Sequence, residues 1–210
     1  MSYDTFSAPA SDSSVAARAR IHFAGVGGQG TLTATTLLSR AALEAGLSVV
    51  SGEIHGMAQR GGVVESSVLL GGWESSVISH GQADIILGFE AMETLRALPY
   101  LRQSGAVFSS TDFVAPPGVS AGRETSPTLE TIKEMVSGCV KNFWFLPCRD
   151  MGVQAGSAQC ANTVLLGALC ATGLIPLGPD DLKKAISRYL PPRLVDMNMK
   201  AADLGAEAVA

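Results

Sequence analysis

The stretch FAGVGGQGTLTATTLL, residues 23–38, decides how this chain is to be read. An apolar run stops at a turn made of glycines, and the turn opens directly into a new pattern. Leu32, Leu37, Leu38, Ala41, Ala42 and Ala45 recur near helical spacing, and Gly46 follows where a helix would end. Upstream, RIHFAG (20–25) is a short apolar strand; downstream, LSVVSG (47–52) is a second. Strand, glycine turn, helix and strand within some 30 residues form a βαβ unit, which predicts a parallel pair with a right-handed crossover.

Working outward, VVESSVLLG (63–71) reads as a strand and SSVISHG (75–81) as a short edge strand or turn. ADIILGF (83–89) is almost continuously apolar, so it reads as a central strand buried on both faces. EAMETLRALPYL (90–101) is helical, GAVFSS (105–110) is a strand, and residues 111–127, rich in proline, form an exposed connection. TLETIKEMVSG (128–138) is an amphipathic helix and KNFWFLP (141–147) a strand. SAQCANTVLLGALCATG (157–173) is a strongly apolar helix. GPDDLKKAISRYL (178–190) starts a helix with Pro179 near its first position and acids in its first turn. A last helix is expected over 195–210. This order predicts an α/β fold: a three-layer, mostly parallel, doubly wound Rossmann-like sheet with extra C-terminal helices. Residues 1–18, polar and serine-rich, read as a flexible N-terminal tail, and 19–210 as one domain.

Composition narrows the function. With 47% hydrophobic residues and a net charge of −4, the chain has no broad basic face for a nucleic-acid backbone. No run approaches the roughly 20 apolar residues of a membrane span, and the first residues lack the apolar centre of a secretory signal. Only 16% of residues are charged. That suits either a surface partly covered by a partner or simply an Ala- and Gly-rich domain. Cys139, Cys148, Cys160 and Cys170 stand about ten apart with no C-x-x-C pair, a spacing that suits neither zinc nor an iron–sulfur cluster. Reduced thiols in the cytoplasm are the natural reading, and no metal site is expected.

Two motifs carry chemistry. Gly25, Gly27 and Gly30 fit G-x-G-x-x-G, with Gly28 and Gln29 inside the turn. Glycines let the backbone turn tightly and approach a ligand, and the free N–H groups of the following helix favour an anion. Glu53, just past the second strand, stands where a dinucleotide site places its ribose-binding acid. A tight βα turn that binds nothing fits the same residues. The second motif is GEIHGMAQRGG (52–62), which packs Glu53, His55, Gln59 and Arg60 between glycines that include Gly61 and Gly62. His55 can exchange a proton near neutral pH, and the Arg60 fork can hold a carboxylate or phosphate. So dense a polar loop at the carboxyl end of a parallel strand lies where open α/β sheets place their sites.

GVGGQG at 25–30 followed by EIHGMAQRGG at 53–62 resembles the gamma-type domain of the 2-oxoacid:ferredoxin oxidoreductases, and most closely the small (beta) subunits that act on indolepyruvate. ADIILGFEAMETLRALPYL (83–101), NTVLLGAL (162–169) and NMKAADLGAEA (198–208) extend the resemblance over roughly residues 20–208. Thr31 departs from the family pattern, which more usually has an apolar residue after the turn.

The resemblance implies oxidative decarboxylation of a 2-oxoacid on thiamine diphosphate with Mg, electron transfer through [4Fe-4S] clusters to ferredoxin, and acyl transfer to coenzyme A. This chain would bind none of these cofactors alone; they would sit on a larger alpha subunit that it completes. The resemblance places the glycine turn and the Glu53–Gly62 loop together, facing the partner's active site. Arg60 and Gln59 would contact the substrate carboxylate, the coenzyme A phosphates or the partner chain. Glu53 would anchor the loop. His55 would be catalytic or would position by hydrogen bonding, and Asn162 would cap the apolar helix near the same edge. Two other readings stand beside this one: an NAD-binding Rossmann dehydrogenase using Glu53, and a non-catalytic assembly protein of the same fold.

Overall fold

The computed structural model describes residues 18–55, 62–114, 119 and 125–210. The run before the glycine turn is strand β1 (Ala19–Val26), the turn enters helix α1 (Thr31–Glu44), and β2 (Val49–His55) follows. Then come β3 (Val63–Leu70), β4 (Ala83–Gly88), α2 (Ala91–Ala97), β5 (Leu101–Ser110), α3 (Leu129–Cys139) and β6 (Asn142–Leu146). Four more helices close the chain: α4 (Cys148–Ala155), α5 (Ala161–Ala171), α6 (Pro179–Tyr189) and α7 (Pro192–Glu207).

The six strands form one sheet in the order β2-β3-β1-β4-β5-β6. β1, β4, β5 and β6 pair parallel, whereas β3 is antiparallel to both its neighbours. The expected pairing of β1 with β2 is therefore corrected. The two strands run the same way, but β3 lies between them. The reason is in the residues. Ser66–Leu70 are buried on both faces, which an interior place requires, while β2 exposes Ser51, Glu53 and Ile54 as an edge strand does.

Alternation along each strand divides the core into layers. Ile21, Phe23, Ile85, Leu87, Ala106, Phe108, Trp144 and Leu146 face α1 and the C-terminal helices. Ala24, Ile86, Val107 and Phe145 face α2 and α3, where Ile132 and Val136 are fully buried at helical spacing. Helices thus cover both faces of the sheet, with α4–α7 added to one of them.

Several boundaries differ from the sequence reading. SSVISHG forms no strand; it lies over the sheet, with Ile78 packed on Leu69 and the Ser67 hydroxyl donating to the Ser76 carbonyl at 2.6 Å. The helix expected over 90–101 stops at Ala97, and a 3-10 turn over Leu98–Tyr100 holds Pro99, whose ring cannot continue a helix. α4 has no counterpart in the sequence reading. α7 starts at Pro192, because a proline at the first helical position lacks only an N–H that would be unpaired there. Of the tail expected over 1–18, residues 1–17 lie outside the described residues. Arg18 is described: its guanidinium stands 4.0 Å over the Trp73 ring and donates to the Gly72 carbonyl. Most of the connection expected over 111–127 also lies outside them.

Candidate functional site

β1 delivers its helix to one face of the sheet and β4 delivers α2 to the other. Adjacent parallel strands whose connections diverge leave a crevice outside their carboxyl ends. The glycine turn stands at the mouth of that crevice. Gly28 and Gly30 hold φ of 102° and 79°, the left-handed region that glycine occupies without a steric penalty. A Cβ on Gly30 would lie 2.5 Å from Asn162 Nδ2. Gln29 folds back on its own turn, its Oε1 accepting from the Val26 N–H at 2.9 Å. Gly25 underlies the turn, where a Cβ would come within 3.2 Å of Gln29, Phe89 and Thr31 side-chain atoms. Thr31 is buried, and its hydroxyl has no hydrogen-bond partner among the described residues.

The second glycine-bounded loop returns to the same rim. His55 pairs with Val64, Val64 pairs with Gly25, and Val63 pairs with Val26, so the ends of β2 and β1 are level across the sheet. The Gly27 N–H donates to the Gly62 carbonyl at 2.9 Å, which ties the two loops together. The side chain of His55 and all of Gln59, Arg60 and Gly61 lie outside the described residues. Glu53 is placed otherwise than as a loop anchor alone. It faces α1, where its carboxyl lies 3.4 Å from the Thr35 hydroxyl, which also donates to the Leu32 carbonyl at 3.0 Å. Since β3 separates β2 from β1, Glu53 stands about 10 Å, two strand spacings, from the strand that carries the turn. A dinucleotide site needs that acid on the neighbouring strand.

Below the turn opens a cavity of about 640 Å³, the size of small-ligand sites. Gly28, Gln29, Gly30 and Thr33 form one wall, and Phe89, Ser110, Asp112 and Phe113 continue it past β4 and β5. Cys148, Arg149, Gln159, Cys160, Asn162, Met197 and Asn198 close it from the C-terminal helices. α1 starts with no side-chain cap and no acid in its first turn, so its first N–H groups are left for a ligand or water. Exposed Arg149 adds a cation to the same wall. Burial raises the Asp112 carboxyl, an effect opposed by the Ser110 hydroxyl and by Arg149. Burial also pushes the Cys148 and Cys160 thiols up, away from thiolate character. The cavity wall offers hydrogen-bond donors and the Arg149 cation to a polar or anionic group, beside the Asp112 carboxyl, and burial keeps its two thiols from thiolate form.

Asn162 does line this cavity, but it does not cap its own helix. α5 starts one residue earlier, and the Asn162 amide reaches across to the Gly30 carbonyl at 3.2 Å. Arg149, Asp112, Gln159 and Asn198 join the site without having been singled out in the sequence. Helix α4, between Pro147 and Gly156, was the available signal for the first of them.

Among the described residues no three His, Cys, Asp or Glu side chains come together to hold a metal ion. Cys139 is exposed, and Cys148, Cys160 and Cys170 are buried as free thiols. This donor set does not fit a resident cluster. No described helix is long and apolar enough to cross a membrane.

The chain is 43% identical over 186 residues, 88% of its length and 92% of the relative's, to the indolepyruvate oxidoreductase subunit IorB of Pyrococcus horikoshii. The crystal structure of a keto/oxoacid ferredoxin oxidoreductase gamma subunit from Geobacter sulfurreducens superposes with a TM-score of 0.66 at 24% identity, covering 91% of this chain and 98% of that one. The pyruvate oxidoreductase subunit PORC of Thermotoga maritima gives the same TM-score at 22% identity, covering 90% and 96%. These two likenesses establish the fold. The family description of pyruvate ferredoxin/flavodoxin oxidoreductase matches residues 20–208. The chain belongs to the pyruvate ferredoxin/flavodoxin oxidoreductase family.

Proposed function

We propose that this chain is the small, cluster-free subunit of a cytoplasmic, thiamine-diphosphate-dependent oxidoreductase that converts indolepyruvate or another aryl pyruvate to the acyl-CoA and reduces ferredoxin. The relative named for indolepyruvate favours the aryl substrate. Thiamine diphosphate with Mg and the [4Fe-4S] clusters, held by a larger alpha subunit, supply the decarboxylation and the electron path. The chain's own residues bind and orient. The Gly25–Gly30 turn, the α1 N-terminus and Arg149 suit the phosphates of coenzyme A. Arg60 and Gln59 hold the substrate carboxylate, the coenzyme A phosphates or the partner chain, and His55 completes the set at the rim.

The observation that carries this reading is the Gly27–Gly62 hydrogen bond, which brings the end of the second glycine-bounded stretch to the turn whose next residues, Gly28–Gly30, line the cavity. The dehydrogenase reading loses its acid, because β3 lies between the strand that carries Glu53 and the strand that carries the turn.

The test is co-purification from the native host, followed by assay of the complex for iron, thiamine and coenzyme-A-dependent ferredoxin reduction with indolepyruvate. The complex is expected to be active and the isolated chain inactive. Arg60→Ala is expected to keep the fold and lower turnover of the reconstituted complex. A chain that co-purifies with no thiamine- and iron-bearing partner, and has no effect on 2-oxoacid oxidation, would mark an assembly protein and overturn the proposal.

A further inference from the structure

Three buried polar side chains run under the glycine turn to the C-terminal helix. Asn162, Thr163 and Asn198 are 5%, 2% and 7% exposed. The Gly30 carbonyl accepts from the Ala34 N–H at 2.9 Å and from Asn162 Nδ2 at 3.2 Å. A carbonyl only accepts, so Asn162 must turn its NH2 to Gly30 and its Oδ1 toward Thr163. At the far end the Leu194 carbonyl accepts from Asn198 Nδ2 at 2.7 Å, so Asn198 also turns its Oδ1 to Thr163. The Thr163 hydroxyl lies 2.6 Å from Asn198 Oδ1 and 3.2 Å from Asn162 Oδ1, with one proton for two acceptors. The proton is shared in a three-centre hydrogen bond, more strongly with Asn198, and this shared bond links Asn198 to Asn162.

The two helices that carry this chain form one body. A Cβ on Gly205 of α7 would run into the Val164 carbonyl of α5, and one on Gly167 of α5 into the Ala202 backbone of α7, so their backbones touch. At the other end of the chain, the Asn162 amide is pressed against Gly30 so closely that no Cβ fits between them.

We infer that Asn162, Thr163 and Asn198 are positioning residues through which α7 holds the left-handed conformation of Gly30, and with it the direction of the free N–H groups at the start of α1. The inference rests on that turn being part of the site proposed above. The C-terminal helix, outside the sheet and remote in sequence, is then a working part of the site.

Hydrogen–deuterium exchange on the full chain tests this by reading the turn itself. Asn198→Ala, which does not touch the turn, is expected to speed exchange in the peptide spanning residues 26–35 roughly fivefold or more, the loss of about one hydrogen bond's protection. Exchange in β4 and β5 is expected to stay unchanged. Thr163→Val should behave like Asn198→Ala, and Thr163→Ser should restore protection. Should Asn198→Ala fail to fold, Asn162→Ala removes only the last link and carries the same expectation. Unchanged exchange over 26–35 in a folded variant, or an equal rise in β4 and β5, would overturn the inference. In the reconstituted complex, Thr163→Val should raise KM for coenzyme A more than it lowers kcat. If the wild-type complex oxidises no 2-oxoacid, the proposed function fails, and the exchange result still decides the positioning role.

Discussion

Gly27 donates its main-chain N–H to the Gly62 carbonyl at 2.9 Å, and this bond ties the glycine turn that leaves β1 to the residue that leads into β3. It is possible because β3 begins at Val63, level with Val26, just after the chain has turned back from β2. The antiparallel strand that displaces β2 from β1 is therefore also what delivers the second loop to the first. The same insertion that removes the dinucleotide acid builds the rim on which the family reading depends.

The turn should be sensitive at Gly30 and less so at Gly28. Gly30→Ala imposes the left-handed strain of about 1–2 kcal/mol and adds a clash with Asn162 Nδ2. At roughly 2–4 °C per kcal/mol for a domain of this size, thermal melting should fall by several degrees. Gly28→Ala meets no atom within 4 Å and carries only the strain, so its fall should be smaller. Adding Asn162→Ala to Gly30→Ala should recover the clash component, giving a non-additive cycle in the melting temperatures.

The contact of α5 with α7 should tolerate no added methyl group. Gly205→Ala is expected to cost about 1–3 kcal/mol or more by forcing the helices apart. Urea unfolding would measure it. A midpoint equal to that of the unsubstituted chain would show that the helices can part without cost.

His22 gives the fold an acid sensitivity. It is 5% exposed, stacked on Tyr100 at 4.3 Å, and its Nε2 has no partner among the described residues. Burial lowers its pKa from 6.5 to about 4. The unfolded chain therefore takes up this proton first. The stability is present in full above pH 6.5 and is lost as pH falls toward 4, by up to about 3 kcal/mol. His22→Phe should flatten this part of the curve, so the difference in unfolding free energy between the two proteins should change between pH 6.5 and 4 and be level above pH 6.5.

Thiol reactivity should follow burial. Cys139 is exposed, whereas burial pushes the Cys170 thiol up to about 12 and the Cys148 thiol still further. An aromatic disulfide reagent at pH 8 should modify one thiol quickly in the native chain and all four in denaturant. Cys139→Ser should abolish the fast phase. Two fast thiols would show that the cavity wall beside Cys148 or Cys160 opens.

The glycine turn, the helix behind it and the layered strands were legible in the residues, because each depends on neighbours along the chain. Period-two burial over Ile85, Ile86 and Leu87 and the 3.6-residue spacing of α1 are properties of contiguous segments. The motif pair that identifies the family is likewise local. The place of β3 between β1 and β2, the partner of Glu53 and the reach of Asn162 to Gly30 were settled by tertiary contact. No stretch of sequence encodes which strand lies beside which, since pairing is selected by total burial and by how short connections return. Nor does an asparagine at the second position of a helix announce whether its amide serves that helix or a carbonyl brought up from the other end of the chain; only packing of α5 beneath α1 brings that carbonyl within 3.2 Å.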